Sequence, residues 1–99
     1  MSIPVVNIAG DTTLGGAHAN KRLNVTAASI ITIPNTTTYD FSNSDEIKVV
    51  RNTSSAVTFA VAAGVTLLSS GGSVAINAQN AVATIFKISA NVWVLYGDI

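Results

Sequence analysis

The sequence predicts an all-β fold: a small antiparallel β-sandwich or barrel over residues 21–99, preceded by a short extended N-terminal arm over residues 1–20. Three observations predict it. Turn-forming residues recur about every 8–12 residues, the spacing of sandwiches and barrels. The segments between them are rich in β-branched residues and alternate apolar with polar. The chain has one glutamate and no opposite charges at i,i+4, so little in it favours helix.

Ile3-Pro4-Val5-Val6-Asn7-Ile8 reads as a short edge strand, since Pro4 cannot donate to a central ladder. Gly10-Asp11 signals a turn, and Leu14-Gly15-Gly16-Ala17 reads as flexible. The apolar arm residues Ile3, Pro4, Val5, Val6 and Ile8 imply ordering by contact. The partner is the chain's own domain, a sister subunit, or another protein whose sheet edge the arm extends. Removing residues 1–20 is expected to weaken attachment to that partner and leave the β-domain folded.

From Arg22 the pattern is β. Leu23, Val25 and Ala27 alternate with Asn24 and Thr26, and Ser29–Ile33 runs until Pro34-Asn35 stops it. Thr36–Phe41 fits a strand or an extended loop, and Ser42-Asn43-Ser44-Asp45 is a turn. Glu46–Arg51 is a strand, Asn52–Ser55 a turn, and Val57, Phe59 and Val61 share the face of the next strand. Ala62-Ala63-Gly64 turns the chain. Short strands at Val65–Leu68 and Ser73–Asn77 flank Gly71-Gly72, and Ala78–Asn80 could form a short helical turn. Val82–Ser89 and Val92–Tyr96 form a hairpin across Ser89-Ala90-Asn91.

Composition narrows the function classes. Of 99 residues only 10% are charged while 48% are hydrophobic, and mean hydropathy is +0.49. An ordinary soluble domain carries about 25% charged residues. A chain this weakly charged is expected to hide apolar surface in an oligomer or larger assembly. Formal net charge is zero, and Lys21, Arg22, Lys48, Arg51 and Lys87 are scattered along the sequence. No basic patch is visible, so no nucleic-acid partner is expected. Without cysteine there is no disulfide or thiolate site. No apolar stretch reaches the length of a membrane helix, so no membrane partner is expected. Met1-Ser2-Ile3-Pro4 lacks a basic signal-peptide start, and the mature chain is expected to begin near Met1.

Candidate chemistry is sparse, and the chain is expected not to be an enzyme. His18 is the only histidine and has no triad partners near it in sequence, so it reads as a surface or packing residue. Asp40, Asp45 and Glu46 cluster near a turn. Hydrogen bonds to their own backbone are the first reading, and a metal site the second. No cofactor is expected. Ser70-Gly71-Gly72-Ser73 lies between strands, not before a helix, and reads as a turn, not a phosphate cradle. Phe59 and Phe86 sit mid-strand and read as core. Trp93 and Tyr96 point to opposite faces, three residues apart. Tyr39, Trp93 and Tyr96 are the candidates for a subunit interface or for stacking on glycan, with a core position the first reading for Trp93.

An ordered series runs through the second half: Val57–Val61, Gly64-Val65-Thr66, Gly71-Gly72, Gln79–Thr84, Lys87-Ile88, Asn91-Val92-Trp93 and Gly97-Asp98-Ile99. With it, the stretch Leu23–Ile99 resembles a small β-domain of tailed-bacteriophage structural proteins, found in capsid decoration (cement) proteins and at the C-termini of tail fibres. The resemblance implies an all-β, often trimeric, non-enzymatic virion component. A short arm on a compact domain, without a fibre shaft, suits a decoration protein. The expected partners are further copies of the chain, as a homotrimer, and the major capsid protein. The expected location is the capsid surface of the virion, after synthesis in the host cytoplasm. The alternatives are a receptor- or carbohydrate-binding tail-fibre or head-fibre module, and a tail or baseplate adaptor.

Overall fold

The computed structural model describes residues 5–99. Ile3 and Pro4, named above among the arm contacts, lie outside the described residues. Nine strands and one 3-10 turn make up the regular structure: β1 (Val5–Ile8), β2 (Thr12–Thr13), β3 (Arg22–Val25), β4 (Ser29–Ile33), β5 (Glu46–Arg51), β6 (Val57–Val61), β7 (Thr66–Ser69), the turn at Ser70–Gly72, β8 (Val82–Ser89) and β9 (Val92–Gly97). The fold is all-β. No helix among the described residues is long and apolar enough to cross a membrane.

The strands form a six-stranded sheet in the order β1-β3-β5-β8-β9-β7 and a three-stranded sheet in the order β2-β4-β6. The antiparallel expectation does not hold. β1, β3 and β5 pair in parallel, as do β2, β4 and β6, and β7 with β9. Only β5–β8 and β8–β9 are antiparallel. The cause is the winding of the chain. From β1 to β6 each strand crosses to the other sheet, so like strands stack side by side and run the same way. The short segments 9–11 and 52–56, which read as turns in sequence, and 26–28, where Thr26 and Ala27 read as continuing the strand from Leu23, are the corners of this coil. They stack as well: Thr26 N–H donates to Ile8 C=O and Asn52 N–H to Val25 C=O, both at 2.8 Å. On the outside, Asn24 Nδ2 donates to Asn7 Oδ1 at 3.1 Å, a two-step asparagine ladder.

Alternation places Leu23, Val25, Ile47, Val49, Ala83, Ile85, Trp93 and Leu95 of the larger sheet and Ile31, Ile33, Val57 and Phe59 of the smaller one in a single core. Val61, at the end of β6, is exposed although it continues the phase of Val57 and Phe59. Of the three partners left open for the N-terminal segment, the described residues take the chain's own domain. Val5–Ile8 pair with Arg22–Val25, Thr12–Thr13 pair with Ile31–Thr32, and Ile8 and Leu14 are core residues. The segment expected to be flexible at Leu14 is therefore anchored there, with Leu14 N–H donating to Thr32 C=O at 2.9 Å.

The C-terminal hairpin is where the sequence placed it. Asn91 turns it with φ of 56°, a left-handed value that Asn tolerates. Gly97 has φ of 121°, and a Cβ there would stand 2.7 Å from Val82 C=O, so only glycine fits beside β8. The 73–77 segment is not a strand. It makes one antiparallel bridge, Thr58 with Ala75, and Ala78–Ala81 closes as a turn with Ala81 N–H on Ala78 C=O.

Candidate interaction surface

The outer face of the six-stranded sheet divides in two. Over β7, β9 and β8 it is apolar. The register sets Leu68 beside Val94 and Val94 beside Phe86, with Val82, Val92 and Tyr96 on the same face. Leu68, Val82 and Tyr96 are exposed, and Val92, Val94 and Phe86 are half-buried. Over β5 and β3 the same face carries Glu46, Lys48, Arg22 and Asn24. An apolar patch bordered by polar residues marks an interaction site.

The three aromatic candidates separate. Trp93 is 2% exposed on the inner face of β9 and stacks edge-on against Phe41, ring centroids 5.2 Å apart. It belongs to the core and is unavailable for stacking on glycan. Tyr96 lies on the outer face at 46% exposure, packed edge-on against Phe86 at 5.8 Å. Tyr39 is 38% exposed and packs edge-on against Phe41 at 4.6 Å. Phe86 departs from its expected core position. Ile85 takes the inner phase of β8, which turns Phe86 outward and carries Lys87 inward. Lys87 is 4% exposed, and its ammonium is satisfied by Asp40 Oδ1 at 2.8 Å and by the Phe41 carbonyl.

The arm residues also separate. Val5 is exposed at the sheet edge, Val6 is half-buried, and Ile8 is core. The acidic trio does not converge on one point. Asp40 pairs with Lys87 and Glu46 with Lys48. Asp45 accepts the Ser42 N–H at 2.9 Å and the Asn20 side-chain amide at 3.0 Å, which is turn chemistry.

His18 caps the turn that leads into β3: the Gly15 N–H faces its Nδ1 at 2.9 Å, so that nitrogen carries no proton in this arrangement. Burial holds the imidazole below its ordinary 6.5, and the Lys21 charge adds to it. A depressed folded-state value favours the neutral form. The stability it contributes is complete above about 6.5 and declines as pH falls through the lower folded value. The thermal midpoint should therefore hold steady above about 6.5 and fall as pH drops from there through the lower folded value, ahead of the carboxylates. His18→Gln should flatten that fall. An unchanged slope in the variant would remove His18 as its source.

Three of the five cations, scattered in sequence, come together in space. Arg51 spends its guanidinium on carbonyls, with Nε on Ser55, Nη1 on Ile76 and Nη2 on Ser54 at 2.8–3.1 Å. Lys87 is buried against Asp40 and Phe41. The other three, Lys21, Arg22 and Lys48, line one open cavity of about 220 Å³ together with Asn20 and Glu46. The parallel pairing of β3 with β5 brings them together, and sequence spacing carries no signal of it.

No family model, no curated protein and no solved structure matches the chain. The fold and surface define an all-β domain of mixed sheets whose outer face is part apolar and part cationic.

Proposed function

We propose that this chain is a non-enzymatic structural subunit that assembles with copies of itself through the apolar outer face of β7, β9 and β8. We read the two sheets and their shared core as a sandwich. Following the sequence resemblance, we place it in a bacteriophage virion as a capsid decoration protein that binds the shell as a trimer. The observation that carries the reading is the apolar half-face itself, centred on Leu68, Val94, Phe86 and Tyr96. In a chain with 10% charged residues, burying it between subunits removes the surface least suited to water. Many copies on a lattice, each adding a modest binding free energy, would stabilise a shell.

Light scattering on the eluting protein tests the assembly. The expected species is a trimer of the 10.1 kDa chain. Leu68→Glu combined with Val82→Glu should return it to monomer with its circular dichroism unchanged, because both side chains are already exposed. A monomeric wild-type protein, or a double variant that stays trimeric, would remove the interface. Co-sedimentation with capsids that lack the protein tests the location. Saturable binding to capsids supports decoration. Binding to host cells instead supports the carbohydrate-binding reading, which the exposed rings of Tyr39 and Tyr96 favour.

A further inference from the structure

The cavity between the starts of β3 and β5 breaks a local rule. Arg22 and Lys48 are register partners on adjacent strands. Directly opposed side chains stand about 4.5–5.5 Å apart at Cβ, where like charges repel. Lys21 lines the same cavity, and the sole carboxylate in its lining is Glu46, which is 3.0 Å from Lys48. Among the described residues neither Lys21 nor Arg22 forms an ion pair. In a chain with only five cations, three gather around one opening, and the lining carboxylate Glu46 pairs with one of them.

The walls are fixed in advance. Asn20 accepts the Glu46 N–H through Oδ1 at 3.1 Å and donates through Nδ2 to Asp45 at 3.0 Å, while Lys48 N–H donates to Lys21 C=O at 3.2 Å. Asn20 itself sits at φ of 56° to do so. Asp45, next to the cavity residue Glu46, accepts hydrogen bonds from Asn20 and from the Ser42 N–H and is turned into that loop, not into the cavity lining. The opening, about 220 Å³, has room for several waters at about 30 Å³ each, and so for a tetrahedral or planar oxyanion with part of its hydration shell.

We propose that this cavity is a binding site for a small oxyanion of the sulfate, phosphate or carboxylate class, held by Arg22 and Lys21 with Lys48 shared between the ligand and Glu46. The Arg22 guanidinium supplies the planar fork that matches such a group in bidentate fashion, and the lysines supply point charge. The site adjoins the apolar half-face, since Glu46 is the register partner of Phe86, but its cations stand on β5, on β3 and just before β3, and none of them belongs to that face. The oxyanion could be a free inorganic ion or a group carried on a saccharide.

Titration of the labelled chain followed by NMR tests it, in a background of about 0.15 M chloride, where charges more than about 8 Å apart are already strongly screened. The probes are inorganic sulfate, a sulfated disaccharide and its unsulfated parent. The expected result is saturable shifts at the amides of Asn20, Lys21, Arg22 and Lys48 with both sulfated probes and none with the neutral sugar. Arg22→Gln should weaken the binding at least tenfold, and Lys21→Gln should weaken it less, both with unchanged dispersion elsewhere. A sulfated sugar that binds at least tenfold more tightly than sulfate makes the anion site part of a saccharide site. Equal affinity makes it a site for the free ion. Shifts that rise linearly without saturation, or that persist unchanged in Arg22→Gln, would overturn the proposal.

Discussion

Removal of residues 1–14 is expected to abolish cooperative folding. The segment supplies β1 and β2, one edge strand of each sheet, and with them the backbone pairing to Arg22–Val25 and to Ile31–Thr32. It also supplies two core side chains, Leu14 at 2% exposure and Ile8 in register beside Val25. Each such side chain contributes about 1.5–3 kcal/mol by burial. Taking them away also uncovers part of Leu23, Val25, Ile31 and Ile33, which they flank in the core. The combined loss is about 5 kcal/mol or more, against a total stability of about 5–15 kcal/mol for a domain of this kind. The truncated chain should show no sigmoidal melt by far-ultraviolet circular dichroism, and its amide spectrum should collapse. This reverses the expectation that residues 1–20 can be removed with the domain intact. A truncated chain that melts like the full one would show that the two edge strands are dispensable.

The strand content was legible because period-two alternation and turn residues are local signals. Leu23/Val25, Ile47/Val49 and Val57/Phe59 all face the core in the phase their spacing predicts, and Asn91 turns the terminal hairpin. Strand direction was not legible. Alternation is identical in parallel and antiparallel sheets, the corner at 26–28 continues the alternation of Leu23 and Val25, and the turn residues at 52–55 do not say which strand is paired next. The N-terminal segment looked separable for a related reason: Pro4, Gly10, Gly15 and Gly16 break its pattern, and only the pairing of β1 with β3 and of β2 with β4 gives its apolar residues a place.

The phase of β8 misled in another way. Taken alone, Phe86 and Lys87 would sit with the aromatic inside and the ammonium outside. Ile85 and Ala83 set the opposite phase, and the Phe41 carbonyl and Asp40 satisfy the lysine that this carries inward. Those partners lie more than forty residues away in sequence, beyond the reach of any local pattern. The cationic cavity was hidden for the same reason. Lys21 and Arg22 lie 26 residues or more before Lys48, and only parallel register makes them neighbours.

Trp93→Ala should produce the largest loss from a single substitution. The indole is 2% exposed, meets Phe41 edge-on at 5.2 Å, and sits in register between Leu67 and Lys87. Truncating a buried tryptophan costs about 3–5 kcal/mol through lost transfer energy and the cavity left behind. For a chain of this size that lowers the thermal midpoint by roughly 12–25 °C, at about 4–5 °C per kcal/mol. The effect should spread along the contact chain. Phe41 loses one of its two aromatic partners and keeps Tyr39, and the carbonyl that holds Lys87 belongs to the same residue, so the 34–45 loop should loosen with the core. Trp93→Phe should cost less, because a ring remains to meet Phe41. The pair Trp93→Phe and Tyr96→Ala then separates core from surface on one strand. The first should lower the melting midpoint and leave any partner binding unchanged. The second should leave the midpoint nearly unchanged and weaken assembly or glycan binding, since Tyr96 stands on the outer face. If Trp93→Phe reduced binding at full stability, the indole would have to reach the surface, and the inward phase of β9 would be wrong.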